Sequence, residues 1–223
     1  MSAASLESDP AVPTLADVLR DLGDVPPHRI LWRPTPGTAT EADALFYVDR
    51  EPKRLVELVD GNLVEKAMGY REAMLASWIA TCLNNFVVPR RLGLVAGADG
   101  LMRHRPGLLC VPDVSFVARA SLPSPAAHRA PIADFAPDLA VEVVSDSNTR
   151  AEIARKRREY FAAGTRRVWV VDPRTSTVTV STDAGTHVEF PLGTTLDGGD
   201  LLPGFALPVA ELFGYLDLMD EPE

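Results

Sequence analysis

The chain has 223 residues, 46% hydrophobic and 24% charged, enough apolar content for one sizeable core and a small appendage. Its formal net charge of −9 excludes a high-affinity, sequence-independent coater of DNA, which needs a positive field, although a local basic patch can still meet nucleic acid. No stretch reaches the roughly 20 apolar residues of a membrane span, and "MSAASLESDPAVP" has neither the basic nor the apolar region of a signal peptide, so a cytoplasmic protein without membrane contact is expected.

"TLADVLRDLG" (14–23) is predicted to be a short helix, with Thr14 as cap, Asp17 at the third helical position and Gly23 closing it. The Pro-rich "VPPHRILWRPTPGTAT" reads as an extended linker, and "TEADALFYVDR" as a short helix or irregular chain. "RLVELVDGNLVEKA" (54–67) holds two apolar runs around Asp60-Gly61, a strong hairpin signal. From about Gly69 to Val88, residues Met74, Leu75, Trp78, Ile79, Cys82, Leu83 and Phe86 recur with a 3.6-residue period, and Pro89 ends that helix. "GLVAGADGLMRH" suggests strand, turn and strand, and "GLLCVPDVSFVAR" (107–119) one strong strand with Pro112 at or near a bend.

"ASLPSPAAHRAPIADFAP" (120–137) reads as a surface loop. "DLAVEVVS" follows as a strand, then a helix over 148–164 capped by Asn148 or Thr149 and stopped by Gly164. "RRVWVVDP" is a buried strand, "TSTVTVSTDAGTHVEF" an alternating hairpin, and the end closes with a short helix. The order gives a mixed α/β sheet with helices on both faces. The expected division is an N-terminal helix and Pro-rich linker (1–53), one folded domain (54–215) and a tail (216–223). Cys82 and Cys110 read as buried free thiols, and the four scattered histidines lack zinc-ligand spacing.

In "DLAVEVVS" alternation puts Glu142 on one face with Ala140 and Val144. An ionised carboxylate there needs a partner or a metal; pairing with an arginine at the mouth of the sheet is the plainer solution. Asp113 in "VPDVSF" begins a neighbouring apolar strand, or simply occupies a turn after proline. Two acids at the ends of adjacent strands repel each other, and a divalent cation resolves that repulsion; all-oxygen ligation suits Mg²⁺ or Mn²⁺. On the following helix Glu152, Lys156 and Tyr160 recur every four residues. Lys156 borders the apolar stripe and either reaches over the acids or extends to solvent, while Arg155 and Arg158 point more outward.

"PDVSF", "PDLAVEVVSDSN" and "EIARKRREYFAAGTRRVWVVDP", taken together with "VELVDGNLVEKAMGY" and "LLPGFALPVAELF", resemble the Uma-two family of restriction endonuclease-like proteins in the PD-(D/E)XK nuclease superfamily. The resemblance spans roughly residues 14–215. It implies a restriction-endonuclease-like mixed sheet with an αβββαβ core, an N-terminal helix and hairpin, and a C-terminal β extension. It further implies a metal-dependent DNA endonuclease that hydrolyses phosphodiester bonds with Mg²⁺ or Mn²⁺. Asp113 and Glu142 take the places of the motif acids and metal ligands. Val144 stands where the motif has lysine, and Lys156 fits the helix position the family commonly uses instead. Glu57 and Glu72 are candidates for an additional acid, and Arg155 and Arg158 for DNA contacts, beside Arg157, Arg166 and Arg167. A homodimer is expected, because cutting both strands calls for two sites. The alternative is a nuclease fold without catalysis, used for binding or oligomerisation, which Val144 and the acidic net charge favour.

Overall fold

In the computed structural model, which describes residues 14–66, 69–124 and 126–218, local signals act first at the N-terminus. Helix α1 (Leu15–Asp21) opens on a capping box: Thr14 accepts from the Asp17 N–H, and the Asp17 carboxylate accepts from the Thr14 N–H. The stretch "MSAASLESDPAVP", which is expected to carry no signal peptide, lies outside the described residues. Helix α2 (Glu41–Asp49) repeats the box with Thr40 and Asp43, so "TEADALFYVDR" is helical.

The Pro-rich segment before α2 is not a free linker. Ile30 bridges Val64, the Leu31 N–H donates to the Leu63 carbonyl at 2.9 Å, and Gly37 and Ala39 donate to the Gly61 carbonyl. Strands β1 (Val56–Val59) and β2 (Asn62–Glu65) form the hairpin expected at Asp60-Gly61, with both turn residues at positive φ, 46° and 78°. A Cβ on Gly61 would lie 2.5 Å from the Gly37 backbone, so glycine is required there twice over.

Helix α3 (Tyr70–Val87) is the long helix that the 3.6-residue period predicts. Strand β3 (Gly93–Ala96) follows, then β4 (Met102–Arg105) and β5 (Leu108–Cys110). The single strand expected over 107–119 is two strands. β5 ends at Cys110, Val111-Pro112-Asp113 cross between sheets, and β6 (Val114–Ala118) begins in the other one. Proline has no N–H to give to a ladder, which suits the crossing point.

Strand β7 (Leu139–Val143), helix α4 (Arg150–Ala162) and strand β8 (Arg167–Asp172) form a parallel crossover. Thr149 caps α4, and Gly164 stops it at φ 103°. Strands β9 (Thr177–Ser181) and β10 (His187–Phe190) make the alternating hairpin. Strands β11 (Thr195–Gly198) and β12 (Leu202–Pro208) make another, and helix α5 (Val209–Gly214) follows.

The strands form a six-stranded mixed sheet ordered β10-β9-β8-β7-β6-β3, a four-stranded sheet ordered β2-β1-β5-β4, and the β11-β12 ribbon. The sequence α3-β3-β6-β7-α4-β8 follows the expected αβββαβ order, with β4 and β5 diverted to the smaller sheet. On one face of the larger sheet, Phe116, Val141 and Trp169 pack with α3, α5 and the ribbon. On the other, Ala140 and Val168 pack with Tyr160 of α4, with Val59, Val64, Leu108 and Cys110 of the smaller sheet, and with Leu22. The far side of the smaller sheet is closed by Leu31 and Ala44. Among the described residues both cysteines are free and no helix is long and apolar enough to cross a membrane.

Candidate active site

Alternation along β7 sends Leu139, Val141 and Val143 under α3 and turns Ala140 and Glu142 toward α4. Glu142 is only 5% exposed. Its Oε2 accepts from Lys156 Nζ at 2.8 Å, and its Oε1 accepts from the Tyr160 hydroxyl. Lys156 and Tyr160 lie one turn apart on α4, so one helix face supplies both donors. Lys156 Nζ also lies 3.0 Å from Glu57 Oε1. Glu57 sits on β1 between Val56 and Leu58, which face the other way, and its Oε1 accepts from the Val111 N–H at 3.0 Å.

Asp113 stands where the chain enters the larger sheet. Its N–H donates to the Val141 carbonyl at 3.0 Å, and its Oδ2 accepts from the Val143 N–H at 2.6 Å. Its Oδ1 lies 2.8 Å from Lys66 Nζ as an ion pair, but without a hydrogen-bond donor in good geometry. Lys66, just past β2, also donates to the Val111 carbonyl. Three carboxylates and two ammonium groups therefore share one buried space between the two sheets and α4. Fully ionised, they carry a net −1.

The electrostatics separate the acids. Burial pushes the Glu142 carboxyl up; Lys156 opposes this, Asp113 adds repulsion, and the result is about 6. Burial pushes Glu57 the same way, but Lys156 and Lys66 overcome it and hold that carboxyl at about 2. Burial disfavours the Lys156 ammonium, yet Glu142 and Glu57 outweigh it and raise its pKa well above the ordinary lysine value. Lys66 also lines a neighbouring cleft of about 490 Å³, together with Glu65, Glu72 and the Ser145-Asp146-Ser147 turn, while Asp113, Glu142, Glu57 and Lys156 are buried behind it.

The structure thus brings Asp113, Glu142, Lys156 and Glu57 together. Glu72, on the first turn of α3, lies on the cleft wall instead. Val144 is buried, with its N–H bound to the Val171 carbonyl. Arg155 does not face outward: it is buried, its Nε donates to the Leu22 carbonyl at 3.0 Å and its Nη1 to Glu159 at 2.7 Å. The N-terminal segment covers that side of α4, which removes Arg155 as a DNA contact. Arg158 is exposed, and Arg166 and Arg167 pair with Asp200.

Three members of the site do not stand out in the sequence. Lys66 is an ordinary residue after a hairpin. Tyr160 reads as core, which it is, but its hydroxyl serves Glu142. His104 lies at a register break in β4, between Arg103 and Arg105, and stacks edge-on against Tyr160 at 5.0 Å. Both its ring nitrogens are buried without a partner, and burial draws its pKa down to about 4. The Met-Arg-His-Arg run carries no alternation that signals this.

Among the described residues no three His, Cys, Asp or Glu side chains gather as a metal cage. The family model described as "Uma2: Putative restriction endonuclease" matches residues 40–210. The chain belongs to the Uma2 family. The fold of this Uma2 member is similar to that in a crystal structure of "a putative nuclease belonging to DUF820 from Anabaena variabilis ATCC 29413", with a TM-score of 0.69 and 21% identity over 80% of this chain and 99% of that one. None of the curated proteins compared with it matches. The nuclease-like fold rests on these two likenesses, and the Uma2 match covers every residue of the buried cluster, from Glu57 to Tyr160.

Proposed function

We propose that this Uma2 protein is a metal-dependent DNA endonuclease of the PD-(D/E)XK kind, with Asp113 and Glu142 as metal ligands and Lys156 as the motif lysine supplied from α4. The observation that carries this reading is the position of Lys156 Nζ, 2.8 Å from Glu142 and 3.0 Å from Glu57, in place of the lysine that Val144 lacks. The donor set fits a hard divalent cation. Asp113 Oδ1 is a buried carboxylate oxygen held only by the Lys66 ammonium 2.8 Å away, and Asp113 is near enough to raise the Glu142 pKa. Two carboxylates suffice for Mg²⁺ or Mn²⁺, since such ions keep waters and take further oxygens from substrate phosphate. Bound there, the ion would supply an activated water and a Lewis acid for a phosphate oxygen.

The chain's own residues do the rest. Tyr160 and Lys156 fix both oxygens of Glu142, and the Val143 N–H fixes Asp113. Lys66, shared by cluster and cleft, is placed to meet an incoming phosphate as a point charge. The family description supports DNA as the proposed substrate, and cutting two strands would call for two sites and hence a homodimer. A second reading has support in the same geometry: Lys66 and Lys156 already neutralise the acids, as a non-catalytic binding fold would require.

The deciding experiment incubates supercoiled and branched DNA with the wild type, Asp113→Asn and Lys156→Ala in Mg²⁺ and in Mn²⁺. Cleavage by the wild type is expected, falling to background in Asp113→Asn and by roughly 100-fold or more in Lys156→Ala. Cleavage that survives Asp113→Asn removes this site. A folded wild type that gives neither cleavage nor heat on calorimetric titration with Mn²⁺ selects the non-catalytic reading.

A further inference from the structure

On the side of the larger sheet away from α3, a groove crosses its β3 edge. Alternation turns Leu94 and Ala96 of β3 and Ser115 and Val117 of β6 to that side, and Met102 and Phe135 help close an apolar recess of about 180 Å³ over them. An outer part of about 650 Å³ shares Leu94, Leu122 and His128 with the recess and adds Arg91 and Arg119. Among the described residues, no aspartate or glutamate lines either part. Neither arginine is among the described ion pairs, all of which join groups within 4.0 Å.

Among the described residues, a groove without acids and flanked by two arginines outside any ion pair is unexpected on a chain of net charge −9. Arg91 also holds a positive φ of 53°, a conformation that glycine adopts with less strain. The recess is lined mostly by apolar side chains, and an apolar cavity of about 150 Å³ is large enough for benzene.

We propose that this groove binds a small organic monoanion, an alkyl or aryl carboxylate, with its apolar group in the recess and its carboxylate between Arg91 and Arg119. The apolar part gives affinity by leaving water, and the charge-assisted contacts select the head group. Nucleic acid fits less well, because its bases carry ring nitrogens and exocyclic polar groups for which the recess offers few partners. Asp113 and Arg119 flank opposite ends of β6, about 20 Å apart at about 3.3 Å per residue, so the proposal stands apart from the nuclease reading.

Calorimetric titration of the full chain with octanoate, octanol, octylamine and inorganic phosphate tests it, each kept below any micelle-forming concentration. Octanoate is expected to bind at one site, at least tenfold more tightly than the other three. The double variant Arg91→Gln/Arg119→Gln, at two exposed positions, should weaken octanoate at least tenfold and leave octanol unchanged. Ala133→Phe, which fills the recess, should abolish both. No octanoate binding, octylamine or phosphate binding as tight as octanoate, or octanoate binding untouched by the arginine pair would each overturn the proposal. Should Ala133→Phe fail to fold, the arginine variant and the four ligands still decide.

Discussion

At the scale of single residues, Lys156 is the group on which the cluster turns. It is buried with Glu142 and Glu57 on either side, so truncating it takes the nearest cation from two buried carboxylates, leaving Glu142 the Tyr160 hydroxyl and Glu57 the Val111 N–H. Breaking such a pair costs about 3–5 kcal/mol, far more than an exposed pair. Lys156→Met should therefore lower stability by about that amount in urea unfolding, and Lys156→Met/Glu142→Gln should recover part of it. The two glutamates carry opposite pH signatures. Glu57 is held at about 2 against an ordinary 4.5, so the stability it contributes is present above about pH 4.5 and is lost as pH falls toward 2. Glu142 is raised to about 6, so the folded chain binds the extra proton between about pH 4.5 and 6 and loses stability as pH rises through that window. Thermal melts of Glu142→Gln and Glu57→Gln against the wild type should differ in these two windows, with opposite slopes. The sequence shows Glu142 as an anomaly, since a carboxylate in the middle of an apolar alternation demands a partner. Spacing on α4 also suggests which lysine answers it. It could not show that Arg155, one residue earlier, is buried, because the covering segment is more than 120 positions away and carries no pattern pointing to α4.

At the scale of elements, the N-terminal segment is tied to α4 by chemistry rather than by periodicity. Arg29 forms a two-pronged pair with Glu152, with both contacts at 2.9 Å and both side chains buried, and it also binds the carbonyls of Glu65 and Ser147. Nearby, Gly23 at φ 81° lies so close to α4 that a Cβ would come within 2.6 Å of the Glu152 nitrogen. Arg29→Met should cost about 3–5 kcal/mol in chemical denaturation because Glu152 is left charged and unpaired, whereas Arg29→Met/Glu152→Met should cost less. If the single variant proves as stable as the wild type, the pair is not holding the segment to the helix. The helices and hairpins were legible because each carries its own local signal: a capping box, a 3.6-residue period, or Asp-Gly between apolar runs. The crossing at Pro112 was not, because β5 and β6 are both apolar and buried and only their partners differ. Periodicity tells which face a residue takes but not which sheet it joins.

At the scale of the whole molecule, the family match and the physical unit do not coincide. The match begins at residue 40, yet Leu22, Val25 and Leu31 lie upstream, each buried against the smaller sheet or Tyr160. Burying an aliphatic side chain of this size is worth about 1.5–3 kcal/mol. Three of them account for roughly 5–9 kcal/mol, before the stranding of Glu152 adds its own penalty. A domain of ordinary stability has only about 5–15 kcal/mol in all. A chain starting at residue 40 should therefore be largely unfolded, or aggregate through the exposed surface around Tyr160 and Val168, even though it contains every acid and lysine of the cluster. Circular dichroism melts of that truncation beside the full chain check this. A cooperative transition within a few degrees of the full chain would mean that residues 14–39 merely cover a core complete without them.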